Sequence, residues 1–146
     1  MPNQPLPVAQ NQFRTLGDHP ALNLLNTVRR VEGALVDSLQ SDPDVLRWLR
    51  QLSLPAEYEP ANLRPSLLLH STRTLRETIR TLVERKKAGK RADVTDLNAF
   101  LAEAQSHLEL VPNKSGEFHL KRRWKRHTPE QVLAPLAEAT ADLFAT

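Results

Sequence analysis

"GDHPALNLLNTVRRVEGALVDSL", residues 17–39, decides how the rest of the chain is read. Asp18 and Pro20 mark a helix start, because proline suits the first helical turn. Ala21, Leu24, Leu25, Val28 and Val31 then recur at helical spacing on one face. The pattern predicts an amphipathic helix from His19 or Pro20, weakened by Gly33, with a turn or loosened segment near residues 32–35. Its polar stripe is unusual. Asn23, Asn26, Thr27 and Arg30 cluster where Lys and Glu would be ordinary. Asn and Thr each cost a helix interior up to about 0.7 kcal/mol against alanine, since their side chains compete for backbone hydrogen bonds. The stripe is either a solvated face or a set of donors and acceptors that orients a polar ligand or pins a loop.

The remaining segments fall into place around this one. "SDPDVLRWLRQLSL", residues 41–54, has a Ser41 or Asp42 cap, Pro43 in the first turn and an apolar side of Val45, Leu46, Trp48, Leu49 and Leu52. "PAEYEPANLRP", residues 55–65, holds three prolines and predicts a loop. A long helix is predicted from about residue 65 to 88, with Leu68, Leu75, Ile79, Leu82 and Val83 inward. Arg73, Arg76, Glu77, Arg80 and Glu84 lie largely off that stripe, and basic residues with Gly89 close the helix. A shorter helix after Asp93 or Thr95 shows Val94, Leu97, Phe100, Leu101, Ala104 and Leu108 on one face. Then the period changes. "HLELVPNKSGEFHLKRRW", residues 107–124, alternates on both sides of a turn-rich linker, which predicts a β-hairpin. Phe118, Leu120 and Trp124 point one way, expected to be the core; His119, Lys121, Arg123 and Lys125 point the other. A last helix starts at Thr128 with Pro129 in its first turn and buries Val132, Leu133, Leu136, Ala139 or Thr140, and Leu143. The expected fold is mainly α: a bundle of about five helices with one hairpin inserted before the last.

At 146 residues the chain is long enough to bury a core and suits one domain. Residues 1–12, rich in Pro and Gln, are expected to form a flexible arm, and 13–146 a single helical domain. The arm has neither the basic start nor the apolar core of a signal peptide, so a cytoplasmic location is the expectation. There is no cysteine, which excludes disulfides and thiol chemistry for these residues. Net charge is +3, unevenly spread. Residues 85–91 and 121–126 carry five basic residues each and no acid, leaving 10 basic against 17 acidic residues, or −7, elsewhere. Such asymmetry fits either solvated surface or contact with an anionic partner.

Catalytic signatures are missing. The five histidines do not pair at the spacing of a helical zinc site. No nucleophile elbow, phosphate loop or nucleophile–base–orienter set is present. The expectation is therefore no enzyme, no catalytic residue, no metal and no cofactor. The strand "HLKRRWKRH", residues 119–127, offers Lys121, Arg123 and Lys125 to phosphate. Trp124 could stack on a base, but alternation favours a core role for it.

Residues 17–39 also resemble the start of the ABATE domain, the N-terminal part of bacterial proteins that carry a CGNR zinc finger. The family pattern "ALDLVNT" is matched by "ALNLLNT" (residues 21–27), an Asp–x–Leu by "DSL" (37–39), then Pro43 and "WL" (48–49). "LREAI" is matched by "LRETI" (75–79), and "LAPLAEATADLF" (133–144) is similar to the family's final helix. Asn23 stands where the family has an acid. The resemblance implies a mostly helical regulatory domain of the stress-induced transcription regulators, with a zinc finger following it to contact DNA. No finger lies within these residues, so the chain is either a piece of a longer protein or a finger-less relative. The functional expectation is a transcription-associated regulatory domain that senses a small polar ligand. Its pocket wall would be Asn23, Asn26, Thr27 and Arg30, with Asp37, Trp48 and Arg76 as companions. Arg76 would hold a carboxylate or phosphate, or pair with Asp37. The alternative is a protein- or nucleic-acid-docking module using the basic hairpin. Expected partners are that ligand, nucleic acid bound weakly without sequence preference, and a further copy in a homo-oligomer, but no membrane. Five engaged phosphates would give a log–log salt slope of about −4 to −5.

Overall fold

Thr27 ends the first helix. In the computed structural model, which describes residues 19–60 and 64–145, α1 (Pro20–Leu25) is only six residues long. His19 caps it, its Nδ1 accepting from the Ala21 N–H at 3.1 Å. At the other end the Thr27 hydroxyl donates to the Leu24 carbonyl at 2.6 Å, and the Thr27 N–H reaches the same oxygen at 3.2 Å. The chain then leaves as β1 (Val28–Val31), turns, and returns as β2 (Ala34–Asp37). Glu32 and Gly33 form the turn with φ of 51° and 82°, the double left-handed geometry that matches strand twist in a two-residue hairpin. Val28 and Val31 therefore belong to a strand and not to α1.

This overturns the mainly α expectation. The protein is mixed α/β: five helices take 49% of the described residues, strands 18%, in two separate two-stranded sheets. The second helix is α2 (Asp42–Gln51), capped by Ser41, whose Oγ accepts from the Asp44 N–H at 3.2 Å. It is followed by α3 (Leu67–Lys87) and α4 (Thr95–Ala102). The second ribbon pairs β3 (Ser106–Pro112) with β4 (Phe118–Trp124), Leu110 lying opposite Leu120. The chain ends in α5 (Pro129–Phe144). The expected arm at 1–12 lies outside the described residues.

The core is helical. α3 packs against the other four helices, and α5 against α1, α3 and α4. Leu24, Val45, Leu49, Leu68, Leu75, Ile79, Leu133 and Leu136 are essentially inaccessible to solvent. Thr140 rather than Ala139 takes the inward place on α5, its hydroxyl satisfied by the Leu136 carbonyl at 2.9 Å. A reciprocal capping box between Thr128 and Gln131 starts α5; Pro135, inside the helix, has no N–H to give the Gln131 carbonyl one turn back. The start of α3 is held from a distance. Ser66 makes no side-chain cap, but Asp42 Oδ1 accepts from the Leu69 N–H at 2.7 Å. α3 ends in a left-handed Gly89, with the N–H groups of Gly89 and Lys90 on the carbonyls of Lys86 and Arg85.

Two further expectations fail. Leu108 lies in β3 and Val94 is half exposed, so neither completes the α4 face. Phe118 and Leu120 do not enter the core: they are 63% and 65% exposed, and only Trp124, at the base of the ribbon, is half buried.

Candidate functional site

Two regions bring the sequence-predicted residues together. The first centres on Arg76, which the long-helix pattern placed off the apolar stripe but which is 5% exposed. Its Nη1 donates to Asp37 Oδ1 at 2.9 Å and to Thr27 Oγ1 at 3.0 Å, and its Nη2 to Asp37 Oδ2 at 2.7 Å. This is a forked guanidinium–carboxylate pair. The Leu39 N–H also donates to Asp37 Oδ1 at 2.9 Å. Arg73, one turn before Arg76, puts Nε 3.4 Å from Asp37 Oδ2 and donates through Nη2 to the Leu39 carbonyl. Ser38 donates twice to the Thr27 carbonyl. The β1–β2 hairpin is thereby fastened at its base to α3.

The other members of the set lie apart. Trp48 donates from Nε1 to Asn23 Oδ1 at 2.8 Å, joining α2 to α1. Asn26 is exposed and ends α1. Arg30 is exposed and donates to the Gly33 carbonyl, inside its own hairpin. Clefts open elsewhere. One of about 220 Å³ lies between the foot of β4 and the start of α5, lined by Ala56, Trp124, Arg126, Val132 and Pro135. A broad groove runs along α3 past His70, Thr74, Glu77 and Asp96. Neither is lined by Asn26, Thr27 or Arg76.

Burial pushes the Asp37 carboxyl up, but hydrogen bonds from Arg76 and the Leu39 N–H, with the charges of Arg76 and Arg73, outweigh it and hold it below its ordinary value. Ionised Asp37 therefore stabilises the fold above about pH 4, and that contribution is lost as pH falls through the folded-state value. Urea denaturation between pH 5 and pH 2 should show the protein losing stability more steeply than its Asp37→Asn variant. Asp44, bonded by the Gln40 N–H, and Glu59, bonded by Arg126, are also held low, but they are common to both proteins. Parallel profiles would remove the assigned role of Asp37.

The second region is the β3–β4 ribbon. His119, Lys121 and Arg123 share one face with His107 and Glu109 of the partner strand. Lys121 and Lys125 are exposed. Arg123 pairs across the ribbon with Glu109 at 3.2 Å, and Arg126 is held by Glu57 and Glu59 at 2.7 and 2.8 Å. Among the described residues no group of three or more His, Cys, Asp or Glu is placed to hold a metal ion.

A family model named ABATE, described as "Putative stress-induced transcription regulator", matches residues 18–146. The chain belongs to the ABATE family. No curated protein and no solved structure matches it. Within this ABATE domain the short motifs have structural partners: Thr27 and Asp37 meet on Arg76, and Asn23 meets Trp48. Arg73 and Ser38 escaped the sequence reading. Arg73 stands three residues from Arg76, a spacing that puts both on one helix face, and this was the available signal. Among the described residues no helix is long and apolar enough to cross a membrane.

Proposed function

We propose that this ABATE domain serves transcription regulation as a docking module that meets nucleic acid with the basic face of the β3–β4 ribbon. The observation that carries the reading is the exposure of that face. Lys121 and Lys125 stand in solvent, and among the described residues no carboxylate lies within ion-pair distance of either. Arg123 is within reach of a phosphate once it leaves Glu109. A two-stranded ribbon is slim enough for the major groove, about 12 Å wide. Contacts of this kind position a protein on the duplex without reading sequence.

Sensing of a small polar ligand by Asn23, Asn26, Thr27, Arg30, Asp37, Trp48 and Arg76 has less behind it. Both terminal nitrogens of Arg76 and both Asp37 oxygens are committed to each other or to Thr27, and the remaining residues are dispersed. A ligand anion at Arg76 would have to displace a forked, mostly buried pair.

The test is a fluorescence titration of unrelated duplexes over a range of salt. Three phosphates engaged by Lys121, Arg123 and Lys125 give a log–log slope of about −2.7. That is shallower than five contacts would give, because Arg122 lies on the opposite face of the ribbon and Arg126 is held by two glutamates. Changing the three residues to alanine should flatten the slope and leave the melting curve unchanged. A slope that survives the triple change, or binding that picks one duplex and resists salt, would overturn the proposal.

A further inference from the structure

Among the described residues, the opposite face of the same ribbon is uncovered and largely apolar. Directly opposed residues of an antiparallel pair share a face, and so do residues two apart along each strand. The register sets Leu110 opposite Leu120, Pro112 opposite Phe118 and Leu108 opposite Arg122. Leu108, Leu110, Phe118 and Leu120 therefore form one patch, exposed by 55, 61, 63 and 65%. A single exposed leucine is ordinary; four large apolar side chains side by side mark a contact surface. The patch runs inward to Trp124, on the same face, which is half buried where the ribbon meets the body. A two-stranded ribbon is marginal in water unless something covers one face.

Charge selects the occupant. The patch carries one charge, Arg122, and its Nη1 is engaged by Ser106 Oγ at 2.8 Å. Lys121, Arg123 and Glu109 all lie on the far side. A surface that recognised a strongly charged partner would ring its apolar centre with several opposite charges, and this one has Arg122 alone. A patch with a single charge per copy, Arg122 beside Leu108, meets itself with little repulsion when a two-fold axis lays it on its own copy and keeps the two guanidinium groups apart. We propose that this face is the interface between two copies of the chain, stacked ribbon on ribbon.

The dimensions agree. Four side chains exposing roughly 100 Å² each give about 400 Å² of apolar surface per copy. Two copies bury about 800 Å² in this way, and the backbone and the Arg122 rim bring the total toward the lower end of specific interfaces, about 1,200 Å². An area at this low end fits a weak, reversible dimer rather than an obligate one. Sheets packed face to face lie about 10 Å apart, so both basic faces point outward from the dimer. The inference stands whether or not those faces bind nucleic acid.

Sedimentation velocity of the 146-residue chain across a concentration series is the first measurement. The expected mass rises from the 16.5 kDa of one chain to twice that value. Leu110→Lys with Leu120→Lys should weaken association by about 100-fold or more while the helical circular dichroism is unchanged, because both positions lie outside the core. The absence of cysteine supplies a second measurement. Under copper–phenanthroline oxidation, Leu110→Cys should give a covalent dimer, and Lys121→Cys on the far face should not. A chain that stays monomeric to about 1 mM, or a dimer untouched by the lysine pair and cross-linked equally through position 121, would overturn the inference. Alanine at Lys121, Arg123 and Lys125 should leave the dimer intact, so loss of nucleic-acid binding and loss of dimerisation are separately visible.

Discussion

Replacing Arg76 with alanine is expected to destabilise the protein by about 3–5 kcal/mol, the range for removing one partner of a buried ion pair. The side chains of Arg76 and Asp37 are 6% and 19% exposed, so water cannot readily replace what is lost. Asp37 would keep only the Leu39 N–H and the longer approach of Arg73 at 3.4 Å. Thr27 would lose the donor on its hydroxyl, and the space filled by the buried Arg76 side chain would be emptied. Urea denaturation reads the difference directly. A loss under 1 kcal/mol would place the pair with ordinary surface bridges. Intact stability accompanied by loss of a small bound anion would return Arg76 to the ligand-binding role.

Trp48→Ala carries the second large effect. Trp48 is 8% exposed within the core of α2, and truncation of a buried Trp costs about 3–5 kcal/mol. At roughly 2–4 °C per kcal/mol for a chain of this size, the melting temperature should fall by about 10 °C. Trp48→Phe separates the indole hydrogen bond from the bulk. It removes the 2.8 Å link to Asn23 and should cost about 1–2 kcal/mol, since Asn23 is only half buried and can turn to water. Equal melting temperatures for Trp48→Phe and the parent would mean that the Asn23 bond does not stabilise the α1–α2 contact.

How much of this was legible varies by element. α2 and α5 announce their starts with Ser41 and Pro43, and with Thr128 and Pro129; α3 announces its end with Gly89. The β1–β2 hairpin was hidden because Val28 and Val31, three residues apart, fit a helical face and fall on opposite faces of a strand. What separates the alternatives is the hydrogen bond from Thr27 to Leu24 and the left-handed Glu32, and a glutamate gives no local hint of positive φ. Alternation located the β3–β4 ribbon and sorted its two faces. It could not tell that the apolar face meets solvent, because that depends on where the helices sit and not on the order of residues along the strand. The polar cluster was partly legible. Asn23, Thr27, Asp37, Trp48 and Arg76 stood out through family motifs, but which pairs with which is fixed by tertiary structure across separations of 25 to 49 residues.

The bond from Asp42 to the start of α3 has an evolutionary consequence. Because a side chain on α2 aims α3, the connection between them does not have to. Lengthening a flexible connection costs little, about 0.6 kcal/mol per doubling. Insertions that spare Ala56, Glu57 and Glu59, which pack or pair with the body, should therefore be tolerated with the α2–α3 contact kept.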